Sequence, residues 1–473
     1  EMSSKPVVSA IHGVAAGGGL ELALGTHYRV GAVKTRVGLP EVTLGILPGA
    51  GGTQRLPRIT DISKALELIT SGRLISVNEA HKIGIIDEIA KGDLLDAAVA
   101  AAERLVAGGA RLRRSREQTS GLAGAKDNPG FFETFAKTLA KSARGMKAPY
   151  ACVRCVEAAA SMEFDDGLMF ERAEFTKLVS DVESVSMRHA FFAEREVAKI
   201  PDIPATMSAK EIKLAGIIGC GTMGGGIAMN FANAGIPVTL IETEQAALDK
   251  GLVRISGNYA NTVSKGRLSQ EEMDRRMALL TGSTDMNAIA DADIVIEAVF
   301  EDMNVKKAIF TKLDAIAKPG AILATNTSTL DVDEIAAVTK RPEDVVGTHF
   351  FSPANVMRLL ENVRGAKSSP ETIATVMKLG KTINKVAVLV GVCDGFVGNR
   401  MLHQYGREAN FLIEEGALPQ QVDKVIFDFG FPMGPFTMGD MAGLDIGWAV
   451  RKHKAASRPS NHRYSAVADR ICE

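Results

Sequence analysis

The chain has 473 residues, enough for about three domains that each bury a core of their own. Its 55 Lys and Arg residues against 56 Asp and Glu leave a net charge of −1, so no global field draws it to nucleic acid or an anionic membrane; any polyanion must be held by local groups. No apolar run approaches the roughly 18 residues of a membrane span, no signal peptide is visible, and five scattered cysteines make no disulfide framework, which fits a reducing compartment. The first residue is Glu1, not Met, so the natural start is expected upstream.

Pro6 to Ile11 reads as a short strand, followed by HGVAAGGGLELAL, in which Gly17 to Gly19 run into a helix carrying Glu21 in its first turn. Such an entry leaves backbone N–H groups unpaired, a fit for a carbonyl oxygen that gains negative charge during reaction. Next comes VGLPEVTLGILPGAGGTQRLPR, with Glu41 placed 20 residues after Glu21. Both glutamates have apolar neighbours; desolvation raises a carboxyl pKa, and two carboxyls near each other could hold a water between a base and an acid. From spacing alone, Glu21 could equally complement the helix macrodipole and Glu41 cap a loop.

The wording of these segments, together with SGRLISVNEAHKIGIIDEI, resembles the enoyl-CoA hydratase, or crotonase, family from about Lys5 to Ala107. The resemblance implies Glu21 and Glu41 as the catalytic pair and Gly18 as one oxyanion-hole donor. It also places the second oxyanion donor and much of the CoA surface upstream of Glu1. The hydratase is therefore expected as an activity of a longer parent protein, from a partial spiral domain at 1–110.

Residues 111–210 read as helical, a connector broken at Asn128-Pro129-Gly130 and closed by IPDIPA, with Pro201 and Pro204. Cys152 and Cys155 form a CxxC inside a helical pattern and read as small buried residues. Asp165, Asp166 and Glu171 read as a solvated face, not a metal site.

The 211–389 region opens with KLAGIIGCGTMGGGIAMNFANAGIPVTLIE, an apolar strand (Leu214 to Ile218), a GxGxxG turn, a helix and a second strand ending in Glu242. This is a dinucleotide-binding βαβ unit. Gly219 serves the tight turn, Gly221 the approach of a pyrophosphate and Gly224 helix–strand packing, with Met223 beside them at the start of the helix. Glu242, 23 residues after Gly219, suits a ribose 2′-hydroxyl and disfavours a 2′-phosphate, so NAD is expected over NADP. A helical stretch from Gln245 to Leu280, interrupted at SKGRLSQ, follows. Three further strands then end at one edge: one leading to Glu301 and a helix with Lys306, one to Asn326 and Ser328, and one to His349. Glu301 and Lys306 could instead be an inconsequential surface pair. A lone His is more often a core residue, but His349 ends a strand in a dinucleotide fold with Glu361 12 residues on, and His suits proton abstraction near neutrality.

These motifs, with VIEAVFED, NTSTL, THFFSP and DGFVGNR, resemble the L-3-hydroxyacyl-CoA dehydrogenase family. With the hydratase segment ahead, the whole resembles the two-enzyme fusions of fatty-acid β-oxidation. The expected class is α/β: a partial crotonase-type spiral fold, a helical connector, a Rossmann doubly wound domain and, at 390–473, a partial all-helical domain. The resemblance implies His349 as general base oriented by Glu361, Ser328 and Asn399 at the substrate's reacting end, Glu301 and Lys306 against NAD, and Lys265 as a CoA contact. Ser352 stands where many relatives carry Asn and would give a weaker nicotinamide contact. Acyl-CoA substrates, a thiolase partner, an accessory double-bond isomerisation and a bacterial cytoplasmic setting, with the peroxisome as alternative, complete the expectation. The alternatives are a dehydrogenase with the first part as scaffold, and a non-catalytic nucleotide- or acyl-CoA-binding module, against which the His349–Glu361 pairing speaks.

Overall fold

The structure, a computed structural model, describes residues 1–473 apart from 110, 127, 205, 456 and 457, so Ala205 of the linker lies outside the described residues. The chain divides into two compact units, Glu1–Ala193 with Val425–Pro432, and Glu194–Lys424 with Met433–Glu473.

In the first unit, six short strands form two small sheets. One is β1 (Val8–Ile11), β3 (Tyr28–Gly31) and β6 (Glu88–Ile89); the other is β2 (Val14–Ala16), β4 (Arg36–Gly38) and β5 (Ile75–Ser76). Between them run α1 (Gly18–Leu24), a 3-10 turn at Pro40–Leu44, α2 (Gly52–Ile59), α3 (Ile62–Ser71), α4 (Val77–Lys82) and α5 (Leu94–Ala107). The connector folds as expected into helices α6 (Ala123–Lys126), α7 (Phe131–Thr138), α8 (Ala148–Ser161), α9 (Phe164–Val179) and α10 (Val182–Glu196). Leu20, Leu24, Leu39, Leu56, Leu66 and Ile69 share one core with Cys152 and Cys155 of α8, both thiols fully buried.

The second unit is built on an eight-stranded sheet. Its strands are β7 (Ala215–Ile218), β8 (Val238–Ile241), β9 (Leu280–Ser283), β10 (Ile294–Glu297), β11 (Ile322–Thr325), β12 (Val345–Phe350), β13 (Leu359–Arg364) and β14 (Val386–Gly391). The order is β9-β8-β7-β10-β11-β12-β13-β14, parallel up to β12 and turning antiparallel at β13. Buried on both faces, the strands send alternate residues to two cores: Ile217, Leu240, Ile296 and Val346 to one, Ile218, Ile241, Val295 and Val345 to the other. The crossovers are α11 (Thr222–Asn233), α12 (Gln245–Ser264), α13 (Gln270–Met277), α14 (Met303–Ile316), α15 (Val332–Ala336) and α16 (Pro370–Thr382); among the described residues the helices α17 (Gly398–Glu414), α18 (Pro419–Phe429), α19 (Pro435–Ala442), α20 (Leu444–Lys454) and α21 (Val467–Cys472) follow.

Two sequence expectations change here. The helical stretch ends before Leu280, which begins the edge strand β9; its LTGS sequence is half-exposed and carries no apolar signal. Glu171 is 1% exposed and does not belong to a solvated face. It sits on the buried stripe of α9 with Phe164, Gly167, Glu174 and Leu178, while Asp165 stays exposed. Among the described residues no helix is long and apolar enough to cross a membrane.

Candidate active sites

In the first unit, Gly17 caps α1 at a positive φ of 58°, bending β2 into the helix. The first N–H groups of α1, that of Gly18 included, have no acceptor within the helix. A side chain at Gly18 would meet nothing within 4 Å, so this stretch of backbone borders open space. One turn on, Glu21 is buried, and its Oε1 accepts from the Ala50 and Gly52 N–H groups, each at 2.8 Å. Glu41 leaves the 3-10 turn to lie against Gly17: a Cβ there would stand 2.7 Å from its Oε1, and its buried Oε2 has no partner. Burial raises both carboxyls. Glu41, further pushed by the charges of Glu21 and Glu171, reaches about 7. Two coupled carboxyls beside a row of free N–H groups can hold one proton between them at neutral pH.

In the second unit the chemistry collects at the carboxyl ends of β7, β10, β11 and β12, where the strand order reverses. Gly219 turns the chain at φ 94° and comes so close to β10 that a Cβ would meet Ala298 O at 2.7 Å. A Cβ at Gly224 would meet Gly219 O at 1.8 Å, whereas one at Gly221 would meet nothing within 4 Å. The loop is therefore tight against the protein at two glycines and open at the third, as a pyrophosphate on the N-terminus of α11 requires. Met223 lies in that first turn, partly buried against the core. Glu242, half-buried, accepts from the Cys220 N–H at 2.7 Å, which fixes its carboxylate at the end of β8 beside the loop. Open backbone, free helix N–H groups and a fixed acid suit NAD.

His349 and Glu361 are directly opposed in the antiparallel register of β12 and β13. His349 Nδ1 lies 2.8 Å from Glu361 Oε2; the other carboxylate oxygen accepts from the Val397 and Gly398 N–H groups at 3.1 and 2.8 Å. Burial works against the Glu361 carboxylate, yet the bonds from His349 and Gly398 hold it below the usual range. An ionised Glu361 keeps the proton on Nδ1 and leaves Nε2 as the basic nitrogen. The ring is held between Phe351 and Phe396, at centroid distances of 4.3 and 5.7 Å. Neither aromatic was named as a site residue from the sequence, although THFFSP and DGFVGNR, which contain them, are among the motifs that carry the resemblance.

Ser328 and Asn399 meet, the Asn399 Nδ2 donating to Ser328 O at 3.4 Å. Glu301 accepts from the Thr327 hydroxyl and the Ser328 N–H, both at 2.7 Å. Asn326 points back into the protein, its Oδ1 accepting from the Phe350 N–H. Lys306 and Glu301 are no surface pair: the Lys306 ammonium is 0% exposed, 2.7 Å from Glu297 Oε1 and 3.2 Å from Glu301 Oε2. Lys306 thus reaches the cleft through Glu301. Ser352 is exposed on the turn after β12, and Lys265 is exposed at the end of α12, where no described hydrogen bond or ion pair joins it to the other site residues.

The chain matches the family described as enoyl-CoA hydratase/isomerase over residues 1–120. It matches the 3-hydroxyacyl-CoA dehydrogenase NAD binding domain over 214–393 and the C-terminal domain of that enzyme over 395–473. It is 45% identical to a peroxisomal bifunctional enzyme of Cavia porcellus over 99% of this chain and 66% of that protein, and 44% identical to one of Homo sapiens over 100% and 67%. The chain belongs to the hydratase–dehydrogenase fusion family. It spans about two thirds of the length of these relatives. The crystal structure of 3-hydroxybutyryl-CoA dehydrogenase from Escherichia coli K12 is similar over 56% of this chain and 57% of that one, with 36% identity and a TM-score of 0.53. The bacterial cytoplasmic setting expected from sequence is corrected by these matches: relatives from animals and plants that align over nearly all of the chain are named peroxisomal.

Proposed function

We propose that the whole protein carries out two consecutive steps of fatty-acid β-oxidation in the peroxisome. It hydrates a 2-trans-enoyl-CoA, then oxidises the resulting L-3-hydroxyacyl-CoA to a 3-ketoacyl-CoA with NAD. The observation that carries the reading is the His349–Glu361 pair beside a glycine loop open at Gly221, since binding alone needs no oriented base. In the first unit Glu21 and Glu41 divide the roles of acid and base on one water, and the Gly18 N–H takes the thioester oxygen. The same two carboxyls can move a proton between the α- and γ-carbons, the isomerase reaction.

In the second unit NAD would be held by Gly219, Gly221, Met223, Gly224 and Glu242, with Glu301, backed by the buried Lys306, and Ser352 towards its nicotinamide, and would supply the hydride acceptor. His349 Nε2 takes the hydroxyl proton of the substrate, and Glu361 stabilises the imidazolium that forms. Ser328 and Asn399 orient the reacting carbon, and Lys265 offers a charge to CoA phosphate. The product is the substrate of a thiolase, the partner this chemistry calls for.

The test is NADH formation from an L-3-hydroxyacyl-CoA by the full-length protein and by its His349→Ala variant, with hydration of a 2-enoyl-CoA measured without NAD. NADH formation that survives His349→Ala would sink the assignment of the base. Oxidation without any hydration would leave the first unit as scaffold.

A further inference from the structure

Four consecutive backbone N–H groups at the start of α2 are divided between two carboxylates. Those of Ala50 and Gly52 go to Glu21, each at 2.8 Å. Those of Gly51 and Thr53 go to Glu171, at 2.7 and 3.0 Å, and the Thr53 hydroxyl adds a third bond at 2.5 Å. Glu171 arrives on α9, more than a hundred residues later in the chain, and is buried more deeply than Glu21. Nothing in the two-carboxyl reading of the first site uses it. Its removal would free every second N–H of the segment that fixes Glu21.

Resting on the hydratase reading above, we propose that Glu171 is a positioning residue of the first site: it clamps the 50–53 segment so that Glu21 is held at Glu41. Two carboxylates on one helix N-terminus repel each other, and five hydrogen bonds with the helix dipole offset that repulsion. Burial raises the Glu171 carboxyl to about 7, and its charge is among those that raise Glu41. The ionisable groups that act on it or feel its charge are Glu21 of α1, Glu41 of the 3-10 turn, and Cys152 and Cys155 of α8, while Arg55 of α2 acts on Glu21, and Arg154 of α8 and Glu174 of α9 act on the thiols; the buried thiols are pushed up and stay neutral.

The experiment compares Glu171→Gln with Glu171→Asp in the full-length protein, reading kcat, KM and the pH profile of 2-enoyl-CoA hydration, with NADH formation in the same preparation as an internal control. Glutamine must turn its NH2 towards backbone donors, so hydration kcat is expected to fall roughly 10- to 100-fold with KM within about threefold. The basic limb, set by the protonated member of the Glu21–Glu41 pair, is expected to move down by roughly 0.5–1 pH unit. Aspartate keeps the charge on a shorter arm, so kcat falls but the limb stays. Dehydrogenation is unchanged in both. A wild type that does not hydrate sinks the hydratase reading itself. A wild type that hydrates, with Glu171→Gln matching it in kcat or keeping its limb, overturns only the positioning role. Should both variants fail to fold, Thr53→Val, which removes only the hydroxyl donor, decides: a several-fold loss of kcat supports the clamp and an unchanged rate overturns it.

Discussion

Glu361→Gln tests how the second site sets its base. The carboxylate accepts one bond from His349 at one oxygen and two backbone N–H bonds at the other. A glutamine side chain has one acceptor. If its oxygen faced His349, its NH2 would confront the Val397 and Gly398 donors, and each buried donor left unpaired costs about 1–3 kcal/mol. The opposite orientation keeps both backbone bonds and turns the NH2 towards Nδ1. Nδ1 then accepts, the proton moves to Nε2, and the nitrogen facing the substrate is no longer basic. The preference for this orientation, about 2–6 kcal/mol from two donors, leaves the productive tautomer a small minority. A general base contributes ~10²–10⁴ in rate, and the analogous tautomer error in serine proteases costs ~10⁴. Glu361→Gln is therefore expected to lower kcat for oxidation of L-3-hydroxyacyl-CoA by ~10²–10⁴, with NAD affinity within about threefold. The assay is NADH formation under saturating substrate, with NAD binding measured separately by fluorescence. A variant that binds NAD and keeps kcat within about threefold of wild type would refute the tautomer argument.

The glycine loop gives a contrasting pair. Gly224→Ala drives a Cβ into Gly219 O and is expected to destabilise the second unit in a denaturant titration, whereas Gly221→Ala meets nothing, should fold within about 0.5 kcal/mol of wild type and should still weaken NAD binding 10-fold or more. Lys306→Met strands the buried Glu297 carboxylate, at an expected cost of about 3–5 kcal/mol to unfolding, and adding Glu297→Leu should recover part of it; an undestabilised single variant would contradict the buried pair. The pH dependence of stability follows from Glu41, whose folded value of about 7 lies above the 4.5 of an ordinary glutamate. Its contribution is fully present below the unfolded value and is lost as pH rises through the folded one. Melting temperatures of the first unit should therefore decline between about pH 5 and 8, and Glu41→Gln should flatten part of that decline. A slope unchanged in Glu41→Gln would show that the carboxyl titrates normally.

What lies close together in sequence was legible there. The turn at Gly219, the open Gly221, the tight Gly224 and the acid ending β8 all fall within one βαβ unit, whose geometry follows from backbone sterics and a two-residue strand period. The glycine entry to α1 and the helical connector were readable for the same reason. Sequence also put His349 and Glu361 in one site, though through a proline turn and a spacing of 12 residues. Only the antiparallel pairing of β13, an element with no clear signal of its own, explains why they are opposed.

The remaining features were decided by tertiary structure, because burial depends on which segments pack over a residue. Glu171 looked like part of a charged face, yet α9 lays it on the N-terminus of α2, and the one hint was its place on the Phe164–Leu178 stripe. Lys306 was expected against NAD, with an inconsequential surface pair as the alternative, but α14 packs it out of solvent against Glu297 at the end of β10. A sequence specifies local conformation through φ/ψ preference and periodicity; the proton affinity of a carboxyl or the partner of a lysine is set by distant segments, and only the folded chain brings those together.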